Sequence, residues 1–161
     1  MSTEGPERAH LWLVKCVGAW KVDALYYFAV GADPVEATGT EQVEMFGPYW
    51  RRGHLEVDLL GSTVRGCTCV GFDPLRQVFV STWLDTSNPH LYSYQGRYDE
   101  DSQTLVLTGS NTDPGTGKKA AYRSVERFEL PERRTLDLYV EVPGRPETKI
   151  LSYVYERTEL R

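Results

Sequence analysis

The residues able to do chemistry cluster in two stretches. One is Trp83-Leu84-Asp85-Thr86-Ser87-Asn88-Pro89-His90-Leu91-Tyr92-Ser93-Tyr94. Read as two strands joined by a polar turn, it puts His90, Tyr92 and Tyr94 on one face, since strand side chains alternate with period two. Rings with one polar tip either pack or wall a cavity that grips a flat molecule. The other stretch is the strand from Trp50 to Asp58, with Trp50, Arg52, His54, Glu56 and Asp58 on one face and Arg51, Gly53, Leu55 and Val57 on the other. Hydrophobicity favours the second face inside. The opposite choice would bring His54 beside Glu56 or Asp85 as an oriented imidazole able to move a proton.

Other chemistry is thinly supported. Cys67 and Cys69 share one strand face, poor geometry for a mutual disulfide, and Cys-x-Cys without a second ligand pair makes no metal site. His10, His54 and His90 have no close metal spacing, so neither metal nor cofactor is expected; haem on one inward histidine is the weakest alternative. Asp113 to Lys119 fails the phosphate-loop pattern and reads as a hairpin. Serine and cysteine nucleophiles lack a recognisable partner order.

The elements that must position these groups are nearly all strands. A helix is expected around residues 6–18, then ten strands near 19–28, 38–46, 50–60, 63–72, 77–85, 90–98, 104–112, 120–129, 135–142 and 148–157. Turn residues separate them, as in Gly31-Ala32-Asp33-Pro34 and Val142-Pro143-Gly144. Ten consecutive short strands predict an all-β antiparallel up-and-down barrel of about ten strands, because closure removes the two exposed edges. Such a barrel encloses more volume than its backbone fills. A single domain over 1–161 is expected, with residues 1–8 as a flexible tail.

A net charge of −5 without a concentrated basic face argues against nucleic acid. No apolar run reaches a membrane span of about 20 residues, and the start lacks signal-peptide character, so a cytoplasmic protein without membrane contact is expected. Oligomeric state stays open.

The chain ends pair specifically. Gly18-Ala19-Trp20 opens the first strand and Arg157 ends the last, which resembles the calycin signature, a tryptophan under a terminal arginine. Along the middle, Gly71-Phe72-Asp73, Trp83-Leu84-Asp85, Gly96-Arg97-Tyr98-Asp99, Thr104 to Gly109 and Asp113 to Gly117 follow in order. They resemble an uncharacterised bacterial lipocalin-like domain-of-unknown-function family over about residues 10 to 158. That resemblance implies the fold and, for Trp20 and Arg157, a structural role; it carries no chemistry. Arg123 matches an arginine of that family, either holding a ligand carboxylate or bracing Asp85. The chain departs from the family at Phe46 to Asp58 and at Asn88 to Gly96, where a specialised function would sit.

If Trp20 and Arg157 face inward, parity turns Tyr26, Trp83, Asp85, Tyr92, Tyr94 and Tyr153 inward too. The expected ligand-binding set is Tyr26, Trp50, Trp83, Asp85, His90, Tyr92, Tyr94, Arg123 and Tyr153, with His54, Asp85 and Arg123 as candidates for catalysis. Three functions fit: a barrel binding a small hydrophobic or aromatic molecule, a cofactor-free cyclase or isomerase using that cavity, or a packed interaction module.

Overall fold

Apolar residues at every second position dictate strands with one face turned to a common interior. The computed structural model, which describes residues 7–158, closes those strands into a barrel. One helix comes first, α1 (Arg8–Val14), then β1 (Gly18–Tyr26), β2 (Val35–Phe46), β3 (Trp50–Leu59), β4 (Ser62–Asp73) and β5 (Val78–Asp85). The chain continues through β6 (Tyr92–Asp99), β7 (Thr104–Thr112), β8 (Lys119–Glu129), β9 (Arg133–Glu141) and β10 (Thr148–Arg157). Each strand pairs antiparallel with its neighbours in sequence, and β1 pairs with β10 to complete the ring. The β3–β4 turn shows why so few residues suffice. Leu59 pairs with Ser62, and Leu60 and Gly61 both take positive φ (51° and 80°), the twist that suits a two-residue hairpin.

Of the expected tail, residues 1–6, with Pro6, lie outside the described residues. Residues 7 and 8 depart from it: Glu7 is the N-cap and Arg8 begins the helix. His10 closes the capping box, its Nδ1 accepting from the Glu7 backbone N–H at 2.9 Å. Its Nε2 lies 3.0 Å from the Phe72 carbonyl, so the buried ring has a partner at each nitrogen.

The helix sits across one end and drives Leu13 and Cys16 into the core. Above them Trp20, Val22, Leu55, Val57, Val70, Leu105 and Leu107 fill the near half of the interior. Trp20 and Arg157 seal the same end. The Arg157 guanidinium lies 4.3 Å from the Trp20 ring and donates to the carbonyls of Pro131 (2.5 Å), Val17 (2.6 Å) and Lys15 (2.9 Å). Gly18 is demanded by this plug, since a Cβ there would stand 2.5 Å from an Arg157 nitrogen. The opposite end carries the loops 27–34, 60–61, 86–91, 113–118 and 142–147 and, among the described residues, has no helix over it.

Candidate functional site

The open half of the barrel is built from rows that alternate inward: Trp20-Val22-Ala24-Tyr26, Phe79-Ser81-Trp83-Asp85, Tyr92-Tyr94-Gly96-Tyr98 and Leu151-Tyr153-Tyr155-Arg157. Trp20, Val22, Ala24, Phe79, Tyr92, Tyr153 and Tyr155 in these rows are buried, whereas Tyr26, Trp83, Tyr94 and Leu151 stay half-exposed towards the open end. The Trp83 indole N–H donates to Asp85 at 2.9 Å, which fixes the ring's direction. Gly66 makes the room: a Cβ there would lie 2.0 Å from the indole. Asp85 also accepts from the Ser87 backbone N–H at 2.7 Å and from its hydroxyl at 2.5 Å, so one carboxylate orients the indole and ends the strand in a local turn. Across the interior Tyr26 and Tyr153 share a hydroxyl–hydroxyl bond of 2.7 Å. Burial pushes both phenols up, so they remain protonated donors at neutral pH.

The sharpest local feature is where β6 and β7 part. Their ladder ends at the pair Gln95 and Thr108, although both strands run on. Beyond it the Asn111 side chain stands in for the missing backbone partner, accepting from Ser93 N–H at 2.9 Å and donating to Ser93 C=O at 3.1 Å. Gly109 occupies the gap, pressed so close that a Cβ would fall 2.0 Å from the Ser93 carbonyl oxygen. A concavity of about 610 Å³ opens here, with Tyr94, Gly109, Tyr122, Arg123 and Glu147 among its walls. Among the described residues the Tyr94 and Tyr122 hydroxyls have no hydrogen-bond partner. Burial raises both phenols above their ordinary range. Beside them Tyr92 packs edge-on to Tyr122 at 5.5 Å and donates to Asn88 at 3.4 Å.

Several expected site residues stand elsewhere. Trp50 and His54 face outwards, because Leu55 and Val57 on the other face fill the core and Arg51 there has a carboxylate partner. Trp50 lies over Gly71 on the outer wall, and His54 stands 3.4 Å from Glu44, far from the interior role considered for it with Asp85. Arg123 also points outwards, since Tyr122, Glu126 and Phe128 hold the inward positions of β8. It does not brace Asp85; it grips Glu147 with two bonds (3.2 and 2.7 Å) over the Tyr139 ring, which puts it on the outer rim of the concavity. His90 precedes β6 in the open-end loop, half-buried, with its backbone N–H on Asn88 at 3.0 Å. Tyr94 and Arg123 therefore meet at one concavity, while Trp83, Asp85, Tyr92, Tyr26 and Tyr153 stand on the interior walls. Cys67 and Cys69 share the outer face of β4, and all three cysteines are free.

Sequence reasoning missed Tyr122 and Asn111, and also a buried ionic network near the helix. Arg134 donates to Glu126 at 2.9 Å and pairs with Glu41, while Arg51 reaches Glu126 and the Cys16 sulfur, each at 3.2 Å. Arg134 also stacks on Tyr155 (3.8 Å) and on Trp20 (4.7 Å). Its signal was available: all four charges sit at inward parity positions among apolar neighbours.

Comparison with solved structures places this architecture among known barrels. The structure described as Rv2717c from M. tuberculosis superposes with a TM-score of 0.74 at 15% identity, over 95% of this chain and 99% of that one. The S-type phycobiliprotein lyase CPES from Guillardia theta superposes with a TM-score of 0.62 at 13% identity, over 97% of this chain and 100% of that one. At such identities the likeness is one of fold. No curated protein matches the chain in sequence. A family model matches residues 5–157, nearly the whole barrel, and by that match the chain belongs to the family described as "Protein of unknown function (DUF1579)".

Proposed function

We propose that the protein binds a small, flat, aromatic molecule in the open half of the barrel, against Tyr94, Tyr122 and Trp83. The observation that carries this reading is the pair of unpartnered hydroxyls beside Gly109, where the wall opens into a concavity. A ligand acceptor can bond either phenol where the described protein groups offer no partner, an interaction worth about 1 kcal/mol. Ring edges supply the apolar contact, and Asp85 keeps the indole in one orientation. Three free thiols support a reducing, cytoplasmic setting.

The rival reading is a packed interaction module, favoured by the burial of Tyr92 (7% exposed) and Tyr122 (4%). A further alternative, a cofactor-free cyclase or isomerase acting in the same cavity, draws support from the fold's occurrence in a protein described as a lyase. Titration with 2-naphthol, a neutral bicyclic phenol, separates the first two. Tyr94→Phe and Tyr122→Phe keep the rings and delete only the hydroxyls. Each should weaken binding about fivefold, matching one lost hydrogen bond. Absence of saturable binding to the wild type would favour the packed module.

A further inference from the structure

The closed end holds a second concavity, unrelated to the open half. Helix α1 stands clear of the β5–β6 side of the rim and leaves a groove of about 780 Å³, within the range of small-molecule sites. Its floor is aromatic. Trp12 turns sideways from the helix and meets Phe128 edge-on at 4.5 Å, Tyr98 at 4.6 Å and Phe79 at 5.7 Å. Trp12 and Phe72 stay half-buried, so apolar surface faces the groove.

The rim has the opposite sign from the protein. Arg8, Lys15 and Arg97 border the groove against a single carboxylate, Glu100. Arg8 is already paired with that carboxylate at 3.2 Å. Among the described residues the side chains of Lys15 and Arg97 make no ion pair or hydrogen bond. Two uncompensated cations thus flank an aromatic floor in a chain whose formal net charge is −5. Lys15 is also held in place, because its carbonyl accepts from Arg157 at 2.9 Å while its ammonium stays free.

We propose that this groove binds a flat aromatic monoanion, an aryl sulfonate or aryl carboxylate, with the rings on Trp12 and Phe72 and the charge between Lys15 and Arg97. A neutral ring system would leave the cations unused, and a bare inorganic anion would leave the floor unused. The amphipathic anion engages both, and an arginine can stack on it as well as pair with it.

The test uses 1-anilinonaphthalene-8-sulfonate, whose fluorescence reports binding to the full-length chain at low salt. Saturable binding is expected. Lys15→Gln with Arg97→Gln should weaken it about fivefold or more, as loss of two partly exposed charge contacts implies. Raising the salt from about 0.02 M to about 0.5 M should weaken wild-type binding in the same direction. Lys119→Gln with Arg145→Gln removes equal charge at the open end and should leave the affinity within about twofold. The proposal is overturned by a wild type that does not saturate, by an unresponsive Lys15 and Arg97 pair, or by a response of the open-end pair instead. None of these outcomes touches 2-naphthol binding by the Tyr94 and Tyr122 variants, so the two sites stand or fall separately.

Discussion

Replacing Arg134 by methionine tests how the barrel keeps its closed end in register. The guanidinium is 2% exposed and is the ion-pair partner of Glu41, itself 3% exposed, among the described residues. Methionine fills similar space against Trp20 and Tyr155 but leaves Glu41 without its cation and Glu126 with Arg51 alone. Breaking a buried pair by deleting one member costs about 3–5 kcal/mol, because the remaining charge stays desolvated. At about 2–4 °C per kcal/mol for a domain of this size, the melting temperature should fall by about 6–20 °C. Adding Glu41→Met to Arg134→Met removes the orphaned charge and should restore most of the loss. Thermal and urea unfolding of the four proteins in that cycle gives the coupling directly, expected at about 2 kcal/mol or more. A coupling near zero, or an Arg134→Met protein as stable as the wild type, would refute the reasoning.

Three further outcomes follow from the same geometry. Arg157→Leu removes three carbonyl contacts and the stack on Trp20, and should cost about 2–3 kcal/mol in denaturant unfolding while leaving 2-naphthol affinity per folded molecule unchanged. Burial raises the phenols of Tyr26, Tyr92, Tyr94, Tyr98, Tyr122, Tyr153 and Tyr155 above their usual value. A folded pKa above the unfolded one means stability is fully present below about pH 10 and is lost as pH rises through the folded values. Absorbance at alkaline pH should therefore show most tyrosinate appearing together with unfolding, and early titration of all ten tyrosines would contradict the burial. Chelator and reductant together should leave the thermal transition unchanged, since the three cysteines are free and no three metal-ligating side chains converge among the described residues; a large shift would point back to Cys67 and Cys69.

Much of the architecture was legible because one rule, alternation, governs ten consecutive strands. Trp20, Trp83, Tyr92 and Tyr153 each face inward as parity from Trp20 and Arg157 implies, and the strand limits differ from expectation by three residues at most. The strand holding His54 follows the face that hydrophobicity favours, with Leu55 and Val57 inside, but what lets a charge ride on that face could not be read locally. Arg51 goes inside only because Glu126, seventy-five positions later, arrives as its partner. Arg123 shows the same limit, since its partner Glu147 comes from a loop across the outer wall. The concavity at Gly109 depends on a ladder that stops early, and Asn111's repair of that gap leaves no periodic trace in the sequence.

Binding in the open half is tested most directly by isotope-filtered NMR of labelled protein with unlabelled 2-naphthol. The account predicts intermolecular contacts from the naphthol ring protons to the rings of Tyr94, Tyr122 and Trp83, lost in Tyr94→Ala while that variant stays folded. Contacts confined to Trp12, Phe72 and Phe128 at the closed end, or none at saturating ligand, would contradict it.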